Sequence, residues 1–292
     1  MHVIMGLPRS GSTLLCNILA QNPAFSVEHT NMLPGIIQTM IQMWSQNPDI
    51  RGGLNRDLEG TTDRIDRCAK AICEAWHNEP EKVVFNKSRG WAHNLLALRR
   101  IYPNSKVLVT IRDPREVFAS FERQHQKNPL FDLAGNSFQK MLATRAQNMF
   151  SAQGMIGSTL LGVQDILDRK QDVYFIKYED FVRHPAQMME RIYCYLDQPA
   201  FEHDFENVVN TATDPDYLYL NKYPHDGSGK VEPRPPSWPK VMDEPIAQSI
   251  VRGYLWFFEH FKYVNRETPR ARNSQQPKEL PLRQRLRHPD SR

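Results

Sequence analysis

With 292 residues, 40% of them apolar, the chain is long enough for one large domain with a full core, or for two small ones. Its formal net charge of +4 is unevenly placed: residues 266–292 carry eight Lys or Arg against three Asp or Glu, a net +5, which leaves −1 for the remainder and removes the overall basicity as an argument for nucleic-acid binding. The longest apolar stretch, YLWFFEHF at 254–261, is interrupted by charge and too short to span a bilayer, and the four cysteines form no C-x-x-C or Cys/His cluster, so they are expected as buried reduced thiols.

The elements follow in chain order. HVIM at 2–5 predicts a first strand, so early that it leaves no room for a signal peptide; the expectation is a cytoplasmic protein. The next helix, about 11–22, buries Leu14, Leu15, Ile18 and Leu19 and stops at Asn22-Pro23. AFSVE at 24–28 is a weak second strand. Ile36, Ile37, Met40, Ile41 and Trp44 mark a helix, and Ile65, Cys68, Ala69, Ile72, Cys73 and Trp76 another. KVVFNK at 82–87 is a strand, AHNLLALRRIY a helix ending at Pro103, and KVLVTI at 106–111 a continuous apolar strand of the kind buried on both faces. DVYFIK at 172–177 is the last strand, and Ile246 through Phe261 carry the last strong helical pattern. The Pro/Gly-rich stretch 223–240 reads as a long loop, and the tail from 266 onward as too polar to order itself. Strands alternating with helices predict an α/β fold with a central parallel sheet of four to five strands flanked by helices in three layers, spanning 1–265.

Chemistry collects at the carboxyl ends of these strands, where ligands bind in open parallel sheets. GLPRSGSTLL nearly matches the phosphate loop G-x-x-x-x-G-K-[ST], with Ser12 in place of the lysine. Glycines such as Gly11 let backbone N–H groups converge on an anion at a helix N-terminus; Ser10, Ser12 and Thr13 add hydroxyls and Arg9 a charge. In VTIRDPREVFAS, Asp113 reads as an N-cap, Pro114 as the first helical residue and Glu116 as the capping-box partner. That account leaves Arg112 at the strand end and Ser120 roughly 10 Å into the helix unexplained, and the two could clasp an elongated anion. Lys87, ending its strand, either supplies the missing lysine from elsewhere or merely snorkels. Tyr178, after the last strand, either stacks on a base or fills the core.

These segments resemble sulfotransferases that use 3′-phosphoadenosine 5′-phosphosulfate (PAPS). GLPRSGSTLL resembles that family's 5′-phosphosulfate loop and RDPREVFAS its 3′-phosphate motif; FNKS, YEDFVRHP and EHTNMLP are similar to segments of the tyrosylprotein sulfotransferase branch. The likeness runs over roughly residues 3 to 260. It implies a P-loop-like fold and in-line transfer of a sulfuryl group to an unidentified acceptor hydroxyl or amine, with adenosine 3′,5′-bisphosphate as product and no metal. Arg9 and Lys87 would stabilise charge on the leaving oxygen, Arg112 and Ser120 would hold the 3′-phosphate, and Lys230 would close over the nucleotide from the long loop. The base is open. The tyrosylprotein branch has a glutamate where this chain has His29, preceded by Glu28. The cytosolic small-molecule branch has a histidine where this chain has Arg89. Glu28 and His29 would face opposite ways on a strand, and His93 is a remoter choice. The acceptor pocket is expected from helices at 33–47 and 57–77 and loops near 128–136 and 217–240. Two rival readings are a small-molecule kinase, with Asp113 holding magnesium, and a non-catalytic nucleotide-binding module. No nucleic-acid partner or membrane span is expected.

Overall fold

The computed structural model describes residues 1–127, 141–211 and 228–264. Five strands form one parallel sheet: β1 (His2–Gly6), β2 (Phe25–Glu28), β3 (Val83–Lys87), β4 (Val107–Ile111) and β5 (Tyr174–Lys177), in the order β2-β3-β1-β4-β5. Central strands read as unbroken apolar runs because both faces are covered. In β1, Val3 and Met5 face a core built with Trp91, Leu98, Phe118, Leu160 and Phe257, whereas Ile4 faces a second core with Leu15, Ile18, Phe181 and Ile192. The expected three layers are therefore present, with α1 (Ser12–Leu19), α9 (Tyr178–Arg183) and α10 (Pro185–Leu196) on one side. The opposite core takes side chains from α2 (Leu33–Gln46), α4 (Leu58–His77), α5 (Trp91–Ile101), α6 (Pro114–Lys127), α7 (Leu142–Phe150), α8 (Gly157–Asp168), α11 (Glu244–Gly253) and α12 (Leu255–His260).

From β1 the chain crosses to β2 on one side of the sheet, and from β4 to β5 on the other. The switch point thus lies between the adjacent carboxyl ends of β1 and β4. Close approach there is made possible by Gly6, at φ 140°: a Cβ at this position would lie 2.0 Å from the Thr110 carbonyl oxygen.

Several expectations need correction. The last helical pattern is two helices, broken at Tyr254, where φ and ψ leave the helical region. A short helix, α3 (Pro48–Arg56), with no buried residue, joins α2 to α4; with Gly52 and Gly53 in its middle and apolar side chains only at Ile50 and Leu54, its sequence reads as a loop. Cys16 and Cys73 are buried, but Cys68 and Cys194 are exposed. Glu116 does not complete a capping box: Asp113 accepts from the Arg115 N–H at 2.8 Å, while the Glu116 carboxylate turns to the loop at 237–238. The tail from 266, the loop near 128–136 and residues 217–227 lie outside the described residues. Among the described residues no helix is long and apolar enough to cross a membrane, and no group of three or more His, Cys, Asp or Glu is placed to hold a metal ion.

His203 sits at the seam of the α1 side, 9% exposed, between the Gln21 amide oxygen at 3.2 Å and the Tyr193 hydroxyl at 3.1 Å. Burial pushes its pKa down from 6.5 to about 4. Between those values the unfolded chain binds a proton that the folded chain refuses, so stability is lost as pH falls through the window. Urea unfolding at a series of pH values from 7 to 5 is expected to show the midpoint falling. His203→Gln is expected to flatten that slope, by at most about 1.4 kcal/mol per pH unit.

Candidate functional site

The loop between β1 and α1 begins at Gly6 and ends at Gly11, whose left-handed φ of 87° turns the chain into the helix. Gly11 offers no side chain to cap α1, and the first turn holds no acidic residue, so neither a cap nor a carboxylate competes for its positive end. A Cβ on Gly11 would meet the Tyr178 ring at 2.6 Å; the ring is packed against the loop. Ser10 points inward. Its hydroxyl lies 2.5 Å from the Leu7 carbonyl, 3.1 Å from that of Thr110 and 2.6 Å from the Thr110 hydroxyl. Ser10 thus pins the loop to β4 instead of offering a donor to the cleft, a correction to the expected ligand role. Ser12 and Thr13 do line the cleft.

Lys87 reaches this loop from the carboxyl end of β3. It is 7% exposed, and its Nζ donates to the Thr13 hydroxyl at 3.1 Å across 74 residues of sequence. The strand-end lysine thus turns inward onto the loop whose own lysine position holds Ser12.

A second cluster forms where β4 gives way to α6. Arg112 lays its guanidinium 4.3 Å from the Tyr178 ring centre, donates from Nη1 to the Arg9 carbonyl at 3.1 Å and from Nη2 to Glu116 at 3.4 Å. Its Nε is buried with no hydrogen-bond partner among the described residues. An orphaned guanidinium N–H of this kind is what an oxyanion ligand would satisfy. Arg9 donates from Nε to the Ser120 hydroxyl at 3.0 Å. Arg9 therefore joins Ser120 and, through its carbonyl, Arg112. Tyr178 lines the cleft and packs against both the Arg112 guanidinium and Gly11.

Arg9, Gly11, Ser12, Thr13, Arg112, Ser120 and Tyr178 line one cleft of about 660 Å³, within the ordinary range for ligand sites, and Lys87 meets it through Thr13. Seven Lys or Arg line it against two Glu, an excess suited to a polyanion. Sequence reasoning missed Arg123 and Lys127, although they continue the stripe of Glu116 and Ser120 along α6 at spacings of three and four. It also missed the role of Glu116. That carboxylate, 6% exposed, accepts from the Ser237 N–H at 2.5 Å, the Ser237 hydroxyl at 2.9 Å and the Trp238 N–H at 2.8 Å. Arg123 also bonds Ser237, and the Arg115 guanidinium lies 4.7 Å from the Trp238 ring. The loop wall of the cleft is thereby strapped to α6. Lys230 lies on that wall, but its ammonium is exposed and pairs with Glu206 at 2.7 Å.

Glu28 and His29 diverge as strand alternation requires. Glu28 accepts from Trp76 Nε1 at 2.7 Å and Asn86 Nδ2 at 3.1 Å and pairs with His77 Nδ1 at 3.1 Å. Burial alone would raise this carboxyl, but the bonds from His77, Trp76 and Asn86 outweigh it and hold the group below the usual glutamate range. The raised pKa that a carboxylate base would need is absent from Glu28. His29, 6% exposed, turns the other way and contacts the Thr211 hydroxyl at 3.2 Å. His93 is exposed on the outer face of α5. Asp113, the magnesium ligand of the kinase reading, is committed to Arg115 through contacts of 2.6–3.1 Å.

A sequence profile described as the sulfotransferase family matches residues 3–203. The chain is 32% identical over 201 residues to protein-tyrosine sulfotransferase 2 of Gallus gallus, a match covering 66% of this chain and 50% of the relative. It is 28% identical over 203 residues to protein-tyrosine sulfotransferase 1 of Danio rerio, covering 67% and 52%. The chain spans about half the length of these curated relatives. Among solved structures, the sulfotransferase domain from the Synechococcus PCC 7002 olefin synthase is similar with a TM-score of 0.50 at 18% identity, covering 86% of this chain and 94% of that domain; this likeness concerns the fold.

The two loop serines are expected to separate experimentally. Ser10→Ala leaves buried carbonyl and hydroxyl groups short of a partner and should lower stability by about 1–3 kcal/mol in urea unfolding without any ligand. Ser12→Ala should leave the midpoint unchanged. A Ser10→Ala protein with parental stability would return that hydroxyl to a ligand-binding role.

Proposed function

The chain belongs to the sulfotransferase family, and from that premise we propose that it moves a sulfuryl group from PAPS to an acceptor hydroxyl or amine. The observation that carries the reading is the Lys87–Thr13 contact: a phosphate loop without its own lysine, completed by a cation from β3. The relatives are named for protein tyrosine, so a tyrosine phenol is the acceptor that their likeness favours.

PAPS brings an activated sulfuryl group, whose sulfur bonds to the acceptor oxygen as its bond to the phosphate oxygen breaks. The residues of this chain fit that task. The first-turn N–H groups of α1, with Ser12 and Thr13, would hold the 5′-phosphosulfate. Arg112, Arg9 and Ser120 would hold the 3′-phosphate, and the buried Arg112 Nε supports that fit. Lys87 would stabilise the negative charge that grows on the leaving oxygen, a preorganised and buried cation. His29 is the base this reading adopts, because Glu28 is already saturated with donors and held as a carboxylate of low basicity. The kinase alternative is not favoured: Asp113 is occupied by Arg115.

Adenosine 3′,5′-bisphosphate is expected to raise the melting temperature, since it binds the folded state, and ADP, without the 3′-phosphate, to raise it less. Arg112→Ala should reduce the protection by about 1.5–3 kcal/mol of binding free energy. Equal protection by both nucleotides would sink the 3′-phosphate assignment.

Lys87→Ala is expected to lower kcat far more than it raises the KM for PAPS, because its proposed interaction strengthens only as the leaving charge develops. The readout is mass-spectrometric detection of sulfated product across tyrosine peptides, phenols, alcohols and amines. A folded variant with parental kcat would reduce Lys87 to a structural cation.

A further inference from the structure

We propose that Asn17 and Thr211 are positioning residues that hold the His29 ring in one tautomer, with the proton on Nε2 and the lone pair on Nδ1. The inference rests on His29 as the base, and it assigns the atom that does the work.

The assignment follows from which groups can donate. Asn17 lies on α1, 1% exposed. Its Oδ1 accepts from the Thr211 backbone N–H at 3.2 Å, and Nδ2 donates to Asn210 Oδ1 at 3.3 Å. A backbone N–H can only donate, so the oxygen of the Asn17 amide faces Thr211. The same oxygen lies 3.1 Å from the Thr211 hydroxyl. An amide oxygen has no proton to give, so the hydroxyl hydrogen belongs to this contact. The hydroxyl can then meet His29 Nε2, 3.2 Å away, only with a lone pair. The proton in that contact is therefore the ring's own, on Nε2, and in the neutral ring Nδ1 is basic.

Placement ties this histidine to the rest of the site. Glu28 of β2 is in register with Asn86 of β3, so the residues that follow, His29 and Lys87, leave neighbouring strand ends side by side. Both are fastened to α1: Lys87 to Thr13, and His29 through Thr211 to Asn17, four residues and so one turn further on. One face of one helix thus sets both the cation for the leaving oxygen and the base for the acceptor. Thr211 comes from a segment 182 residues away from His29, so the lock exists only in the folded chain.

The test reads the tautomer directly, in the ligand-free protein. With 15N-labelled histidine, a long-range proton–nitrogen spectrum near neutral pH is expected to show His29, assigned by its loss in His29→Gln, as the neutral Nε2–H form. Thr211→Val keeps the shape but removes the hydroxyl; it should release the ring into a mixture of tautomers and lower kcat at least about tenfold with little change in the KM for PAPS. Thr211→Ser should keep the tautomer and most of the rate. Asn17→Ala frees the hydroxyl to donate to the ring and should likewise mix the tautomers. A parental ring protonated on Nδ1, or on both nitrogens, overturns the inference, as does a Thr211→Val protein with an unaltered spectrum. The rate of His29→Gln tests the base reading separately: parental transfer by that variant overturns it, and with it the catalytic meaning of the contact.

Discussion

The ammonium of Lys87 on the Thr13 hydroxyl, 3.1 Å long and 7% exposed at the lysine, ties the end of one strand to the first turn of the helix that follows another. Burying a lone cation is costly unless the site supplies oxygen or negative charge. Here the cation closes a turn whose backbone N–H groups also converge on whatever binds there. A loop lysine would arrive from the same segment as the N–H groups. A lysine from β3 arrives from the side of the sheet where β2 and His29 lie. In the proposed transfer, the relocated cation would lie between the bound phosphosulfate and the strand end that carries His29.

The rest of the cleft is organised to keep cations close together without collapse. Arg112 and Arg9 sit within bonding distance of one another's groups, held by a carbonyl, a hydroxyl, a carboxylate and an aromatic face. Each partner fixes a guanidinium without fully neutralising it. Glu116 is the one carboxylate at the centre of this arrangement, and three of its contacts go to Ser237 and Trp238. It couples the arginine that would read the 3′-phosphate to the loop that walls the cleft. A second carboxylate on α6, Glu122, 1% exposed, takes a two-point contact from Arg145 of 2.6 and 2.8 Å and anchors the helix to α7.

Glu28 and His29 show how finite hydrogen-bonding capacity assigns roles. Asn86 accepts the Trp91 indole N–H at 2.7 Å, so its Nδ2 is a donor and serves Glu28 at 3.1 Å. Trp76 and His77 supply the other bonds, and the carboxylate becomes the anchor of α4 on the edge strand. His29, on the opposite side, contacts the Thr211 hydroxyl at 3.2 Å and is the base of the proposed reaction. Adjacent residues of like promise are separated by the pleat of one strand.

Much of the fold was legible in the chain itself. Apolar runs bounded by turns marked the five strands, and a glycine-rich turn straight after the first led into an uncapped helix N-terminus. Arg112 and Ser120 stood out because a helix cap explained their neighbours and left them over. These features are local: periodicity, turn chemistry and motif spacing act within a few residues. What only the tertiary structure decided is which partner claims each proton and lone pair. Ser10 turns inward because Thr110, 100 residues away, competes for its hydroxyl. Arg9 joins Ser120 at a separation of 111 residues, and Glu116 takes Ser237 instead of its own helix's N-terminus at 121. The Glu28 carboxylate is held by Trp76, His77 and Asn86, which converge on it. Each group has few bonds to give, its partners come from distant segments, and local sequence holds no record of which of them arrives first.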